Sequence, residues 1–379
     1  MAKLGDVCQK KIDTIKSTYK GDINYIDISS VDNQRKEIIQ TQIMSFEDAP
    51  SRAKQLVFPG DILVSTVRPN LNAVALVTEG FDSITVASTG YCVLRCLSNT
   101  DNKYVFYFCQ SPAFIENMVA QATGASYPAV TSSIVKECSI PLPPLEEQRK
   151  IAAVLDKVSD LIAKRRQQLE KLDLLVKARF VEMFGDPVSN SYQFPVLSLL
   201  ELGELGRGVS KHRPRNAPEL LGGKYPLIQT GEVANSDLYI HSYENTYSEV
   251  GFQQSKMWKA GTLCITIAAN IAKTAILSFD ACFPDSVVGF SANEKTNNSF
   301  VHYWFSFFQE ILEAQAPESA QKNINLKILS ELKVIVPDID EQNCFADFVE
   351  QIEETKTRIR ESLTKLETLK KALMQEYFD

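Results

Sequence analysis

Histidine occurs only three times in this chain of 379 residues, as His212, His241 and His302, so an imidazole-based metal or acid–base site would have to draw its partners from far along the sequence. His302 sits in an aromatic stretch and is expected to be a packed residue. The eight cysteines are scattered; Cys92 and Cys96 are the closest pair, and no second pair completes a metal-ligand spacing, so free thiols are expected. No apolar run approaches the roughly 20 residues that a membrane helix needs. The opening MAKLGDVCQKKID has no apolar stretch behind its charges, so neither a secretory signal nor a membrane location is expected, and the expected compartment is the cytoplasm. Phosphate-cradling loops are also missing: Gly222-Gly223-Lys224 is followed by Tyr225 and has the chemistry of a turn. There is no glycine fingerprint for a dinucleotide or methyl-donor cofactor and no Asn/Asp-Pro-Pro-aromatic run. A nuclease-like carboxylate set assembled from Asp285 and Glu294-Lys295 is too loosely spaced. An enzyme with its own active site is therefore disfavoured.

Basic excess is lacking as well. The formal net charge is −7. That balance argues against a nucleic-acid partner only if it is spread evenly. It is not. Residues 3–140 carry 13 Lys/Arg against 14 Asp/Glu, and residues 196–336 carry 12 against 14, whereas residues 337–379 carry 6 against 11. The two globular stretches are near neutral, and much of the acid lies on the last segment. Total charge neither supports nor excludes DNA binding.

What the sequence does contain is a duplication. Residues from Pro141 to Phe184 match a segment ending at Phe378 at a constant offset of 194: Glu147-Gln148 falls on Glu341-Gln342, Leu172 on Leu366, Lys177-Ala178 on Lys371-Ala372. Upstream, Val105-Phe106-Tyr107 aligns with Val301-His302-Tyr303 and Phe58-Pro59-Gly60-Asp61 with Lys259-Ala260-Gly261-Thr262, the offset drifting to at most 202. The helical parts are the more alike and the globular parts the more divergent, as expected if the helices share one task and the globular parts do related but different ones.

Each copy has a sustained 4-3-4-3 apolar spacing. The first runs through Ile151, Leu155, Val158, Ile162, Leu169, Leu172 and Val176, interrupted by Arg165 and Arg179; the second through Val349, Ile352, Ile359, Leu363, Leu366 and Leu373, interrupted by Lys356 and Lys370. Arg165 aligns with Ile359 and Arg179 with Leu373. A 3.5-residue period held over several heptads predicts that the two helices pair with each other. Two unrelated surface helices would each show a stripe, but they would not share a register.

Pro141, Pro143 and Pro144 fix the start of the first helix, with Glu146 and Glu147 in its first turn, and Gly185-Asp186-Pro187 ends it. Within the globular parts, alternation predicts strands at Gln55–Val57, Asp61–Thr66, Ala73–Val77, Thr262–Ile267 and Thr274–Ser278, with helices at residues 103–111 and 300–312. The class is mixed α and β.

The remaining chemistry is that of polar and basic loops. Arg pairs with guanine edges and Asn or Gln with adenine edges, while Lys, Arg and hydroxyls serve phosphates. The first globular part offers Arg35, Lys36, Arg52, Lys54, Arg68 and Asn70. The second offers Arg207, Lys211, His212, Arg213 and Arg215 in one Gly- and Pro-broken stretch, with Gln229, Thr230, Asn270 and Lys273. Any one exposed cation is usually only solvated; sets on corresponding loops carry more weight.

Together, the Pro141–Ile151 motif PLPPLEEQRKI, its degenerate copy from Val336-Pro337 to Glu341-Gln342, Pro59-Gly60-Asp61-Ile62-Leu63, and Tyr225-Pro226-Leu227-Ile228-Gln229-Thr230-Gly231-Glu232-Val233 resemble the specificity subunit of type I restriction–modification systems over nearly the whole chain. The second copy departs from the pattern, with Asp338 in place of a proline and the acid Asp340. The resemblance implies a mixed α/β fold of two pseudo-symmetric globular target-recognition domains, residues 1–144 and 187–338, joined by two long helices, residues 145–186 and 339–379, that form an antiparallel coiled coil. It implies no catalysis by this chain and no cofactor bound by it. The partners implied are double-stranded DNA, two methyltransferase subunits resembling adenine-N6 methylases, and restriction motor-nuclease subunits; S-adenosylmethionine, ATP and Mg belong to those partners. The target would be two different half-sites. A helix over residues 151–184 is about 50 Å long at ~1.5 Å per residue, which bounds their separation at roughly 15 base pairs. The competing expectation, from another class, is a duplicated coiled-coil scaffold that binds proteins and no DNA.

Overall fold

The computed structural model describes residues 1–78, 83–268, 271–308, 311 and 324–378. The chain forms two compact units: Met1–Gln167 with Arg360–Asp379, and Gln168–Ile359. Both divisions fall inside long helices, Leu145–Phe184 and Ile339–Phe378, each of 40 residues. Each unit therefore consists of one globular part and a segment of each helix.

In the first unit the strands Ile62–Ser65, Val74–Leu76 and Tyr91–Leu94 form an antiparallel sheet with Ile62–Ser65 central. Ile62–Ser65 and Tyr91–Leu94 are buried at every position, so they carry continuous apolar runs rather than alternation. A second sheet orders Gln42–Ser45, Asp22–Ile26, Thr85–Ser88 and Ala53–Leu56. The second unit repeats the first motif: Leu263–Thr266 lies between Thr274–Leu277 and Val287–Ala292. That sheet is extended to five strands by Gly203–Arg207 and Tyr239–Ile240, and a further sheet orders Asn245–Tyr247, Leu221–Leu227, Ala281–Cys282 and Met257–Trp258. The segment at Gly222-Gly223 is strand rather than turn: Leu221–Leu227 pairs with Asn245–Tyr247 through a register break between Leu221 and Tyr225, and Gly222 takes φ +83° there. The sequence-predicted strands lie within a residue or two of those observed.

The turn before each central strand is the same device. Gly60 has φ +92° and Gly261 φ +88°, left-handed values that favour glycine. The carbonyl of Gly60 accepts from Asn102 Nδ2 at 3.3 Å, and that of Gly261 accepts from Asn298 Nδ2. These asparagines open the helices Asn102–Phe108 and Asn298–Phe305, capped by Asp101 accepting from Tyr104 N and Asn297 accepting from Phe300 N. Each globular part is closed by a short antiparallel pair, Ala2–Lys3 with Ser139–Ile140 and Val196–Ser198 with Lys333–Ile335.

Each closing pair leads into a long helix whose start is pinned by a buried glutamine. Gln148 Oε1 accepts from Asp101 N at 2.9 Å while its Nε2 donates to Pro143 O at 2.8 Å. Gln342 Oε1 accepts from Thr296 Oγ1 at 2.7 Å while its Nε2 donates to Lys295 O and Pro337 O. The departure at Asp338 is compensated by a hydrogen bond: its carboxylate accepts from Asp340 N at 2.9 Å in the helix's first turn. Gly185, at φ +68°, ends the first helix.

All thirteen apolar residues expected to pair the helices are buried or half-buried. Within the first unit, Ile151 and Leu155 share a core with Met374 and Phe378, and Arg166 is paired with Glu367 at 2.6 Å. Within the second, Phe180 and Phe184 meet Phe345 edge-on. The ends of both helices also enter the globular cores at corresponding places: Phe378 lies 5.2 Å from Tyr104, and Phe184 lies 5.0 Å from Phe300.

Candidate nucleic-acid interface

In the second unit the Gly-Pro-broken stretch after Arg207 is an ordered loop. It is drawn onto the Phe283–Val287 segment by Gly208 N donating to Val287 O and by Arg207 Nε donating to Asp285 O. A Cβ on Gly208 would fall 2.3 Å from Pro284 O, so only glycine permits this approach. Gln254 Oε1 accepts from the backbone N–H groups of both Lys211 and His212, which fixes the loop's crown. Arg213 Nη1 donates to Ser210 O and His212 O, and both Arg213 and Arg215 are ion-paired with Asp285. Three of the five basic residues picked out in this stretch thus converge on Asp285, which sequence spacing had offered only as a weak nuclease carboxylate. His212 Nε2 stands 3.8 Å from Glu219, and Lys211 is exposed.

Arg215, Gln229 and Thr230 line one concavity of about 330 Å³, with Asn216, Tyr247 and Ser286. The strand Leu221–Leu227 delivers Gln229 and Thr230 to it. The Gln229 side chain accepts from Glu232 N, and Glu232 accepts in return from Gln229 N, so this polar pair caps the short helix Thr230–Asn235. Lys273 does not join them. Its exposed side chain lines a second concavity of about 480 Å³, with Asp173, His302 and Lys356. Asn270 lies outside the described residues.

The first unit disperses its candidates. Arg35 is in the turn between Val31–Asp32 and Glu37–Ile38, its N–H donating to Asp32 Oδ1 at 2.9 Å; that bond leads the factors holding the Asp32 carboxyl below its usual range. Lys36 faces inward. Its ammonium donates to Asn72 O and Asn72 Oδ1, and burial, with Lys370 nearby, lowers its pKa to about 8. Lys36, which the sequence offers as one of a basic set, is thus engaged with Asn72 in this fold. Arg52 and Lys54 are exposed. Arg68 and Asn70 are exposed on the turn Pro69–Leu71, with the Arg68 guanidinium 4.8 Å from the Tyr127 ring.

Several residues that shape these units carry no local sequence signature. Lys356, expected only as an interruption of the apolar spacing, is buried between Asp173 at 2.7 Å, Glu353 at 2.6 Å and Asp237 at 3.7 Å. Burial opposes its charge, but Asp173 and Glu353 outweigh it and raise its pKa. Its neighbour His302 donates to or accepts from Thr274 Oγ1 through Nδ1 at 2.9 Å, and burial together with Lys356 lowers its pKa to about 4. The first unit also holds a helix lysine against its globular part, Lys370: burial and then Arg166 lower its pKa to about 8, and its ammonium lies 5.4 Å from the Tyr107 ring. Among the described residues no group of three or more His, Cys, Asp or Glu could hold a metal ion, and no helix is long and apolar enough to cross a membrane.

The profile of the type I restriction modification DNA specificity domain matches residues 1–172 and again 196–370. The chain is 23% identical to the putative type I restriction enzyme MjaX specificity subunit of Methanocaldococcus jannaschii, over 99% of this chain and 85% of that one. It is 22% identical to the EcoBI specificity subunit of Escherichia coli, over 85% and 73%. A chain solved in a study of complex assembly and conformational transition of the type I restriction–modification system superposes with a TM-score of 0.59 at 23% identity, covering 99% of this chain and 96% of that one. The corresponding subunit from M. genitalium superposes at 0.55 and 14% identity, covering 100% and 95%. These likenesses bear on the fold.

Proposed function

The chain belongs to the type I restriction–modification DNA specificity family, a family of non-catalytic subunits whose role is DNA sequence recognition, and from that premise we propose that it reads a bipartite, asymmetric site, one half with each globular part. It holds two adenine methyltransferase subunits at that site, and with motor-nuclease subunits it directs cleavage of unmethylated DNA. S-adenosylmethionine, ATP and Mg act on those partners, in the cytoplasm, and this chain contributes the address. The observation that supports the reading best is a constant scaffold bearing different words. The turn, central strand and capped helix recur in both units with the same contacts through Gly60 and Asn102 or Gly261 and Asn298. The basic loops around that scaffold differ in kind and in place: Arg68 and Asn70 directly follow the central strand Ile62–Ser65 in the first unit, whereas Arg213, Arg215 and Asn216 follow the added strand Gly203–Arg207 in the second. Non-identical loops on like frames suit two different half-sites.

Methylation mapping in cells with and without the gene tests this. The expected result is an adenine-methylated motif of two unlike halves around unread base pairs, present only with the gene. Replacing residues 1–140 by those of another such subunit should change one half alone; a change in both halves, or a continuous motif, would refute the division of labour.

A further inference from the structure

We infer that Arg215 reads a guanine edge in the half-site taken by the second unit, and that Asp285 is the positioning residue that holds it to that task. The inference rests on the DNA-recognition reading. Four observations carry it. First, Arg215 is exposed and lines the concavity in company with Asn216, Gln229, Thr230 and Ser286, all side chains suited to base edges. Second, its guanidinium is ion-paired with the half-buried Asp285. An ion pair this open to solvent adds only about 0–1 kcal/mol of stability, so stability alone does not account for an acid on the Phe283–Val287 segment facing the basic loop. Third, Asp285 is shared by Arg213 and Arg215 and offsets only part of their charge, but it holds the Arg215 guanidinium so that the N–H donors it does not engage point in fixed directions, which is what bidentate recognition of guanine O6 and N7 requires. Fourth, the neighbouring arginine is otherwise occupied. Arg213 spends its donors on Ser210 O and His212 O, clamping the loop, and Arg207 bonds to the backbone of Asp285. Of the loop's basic residues only Arg215 lines the concavity, and the base-reading role is assigned to it.

The acid itself is held from behind. Pro284 O lies against Gly208, and Val287 O accepts the Gly208 N–H, so the segment bearing Asp285 is bonded directly to the start of the loop bearing Arg215. Orientation by such a buttress lowers the conformational cost of fixing a long side chain at the moment of binding.

The test is selection from randomised duplex DNA by the complete complex of this chain with its methyltransferase subunits, comparing the wild type with Arg215→Ala, Arg215→Lys and Asp285→Asn. Arg215→Ala is expected to erase preference for a G·C pair at one position, with a 5- to 150-fold loss of discrimination there, roughly what one bidentate contact supplies, and to leave the other positions intact. Arg215→Lys should restore part of it. Asp285→Asn should weaken the same position while binding to unrelated duplex is unchanged or tighter, since a negative charge has gone. Loss of preference spread over every position would overturn the inference, because Arg215 would then be a support for the loop. An unchanged motif in Arg215→Ala would also overturn it. If the wild-type complex selects no motif at all, the recognition reading itself fails, whatever the variants do.

Discussion

Lys356 sets the sharpest energetic question at the level of single residues. Its side chain is 3% exposed, and its ammonium is compensated by Glu353, whose side chain is 12% exposed, and by the more open Asp173 and Asp237. Lys356→Met removes the cation beside the half-buried Glu353 carboxylate and should cost about 1–3 kcal/mol, whereas Lys356→Met with Glu353→Met should recover most of that, since removing a buried pair together is often near neutral. Denaturant titration of the two variants checks the cycle, and equal losses in both would contradict it. Nearby, His302 makes stability depend on pH. Its folded pKa of about 4 lies below the ordinary value of about 6.5, so the unfolded chain binds the proton first. The contribution of the neutral ring is complete above about pH 6.5 and is lost as pH falls towards about 4, with a slope of up to about 1.4 kcal/mol per unit. His302→Gln should flatten that limb; an unchanged limb would assign it to other groups. The sequence marked His302 as packed and Lys356 as a break in the apolar spacing. It had no means of pairing Lys356 with Asp173 or Asp237, which lie 183 and 119 positions away and meet it only through the folded chain.

At the level of elements, the two buried glutamines explain why Glu-Gln recurs at both helix starts. Each bonds to groups on the globular part and on the lead-in together, so the first turn of the helix is tied to both. Gln148→Ala leaves Asp101 N and Pro143 O without their partner and should cost about 1–3 kcal/mol, with faster amide exchange confined to the first turns of Leu145–Phe184; protection equal to the wild type there would show the pin to be dispensable. The long helices and the central strands were legible because 3.5-residue spacing and continuous apolar runs are local signals. The closing pairs Ala2–Lys3 with Ser139–Ile140 and Val196–Ser198 with Lys333–Ile335 were not, since two- and three-residue strands acquire meaning only from partners over a hundred residues away. The loops divide similarly: the basic stretch after Arg207 was visible as composition, but its organisation around Asp285 required the fold.

For the whole molecule, the two compact units divide at Gln167 and Ile359, which gives the place to alter helix length without disturbing either globular part. Inserting one heptad into each helix at those points keeps the apolar register and adds about 10 Å at ~1.5 Å per residue, or roughly 3 base pairs of unread DNA. Methylation mapping should show the gap lengthened and both halves retained; an unaltered gap would separate spacing from helix length.

Because Phe378 completes the first globular core and Phe184 the second, neither repeat is finished by its own helix. A gene cut after residue 186 would still encode a helix able to supply what the first core lacks, provided the supply came from a sibling chain: Phe184 is the counterpart of Phe378, and Val176 would stand where Lys370 now sits half-buried. Such a truncated product is expected to be a homodimer in light scattering and, with methyltransferase, to methylate a palindrome made from the first half-site. Exchange of helices between copies would thus turn an asymmetric vocabulary into a symmetric one by shortening a single reading frame.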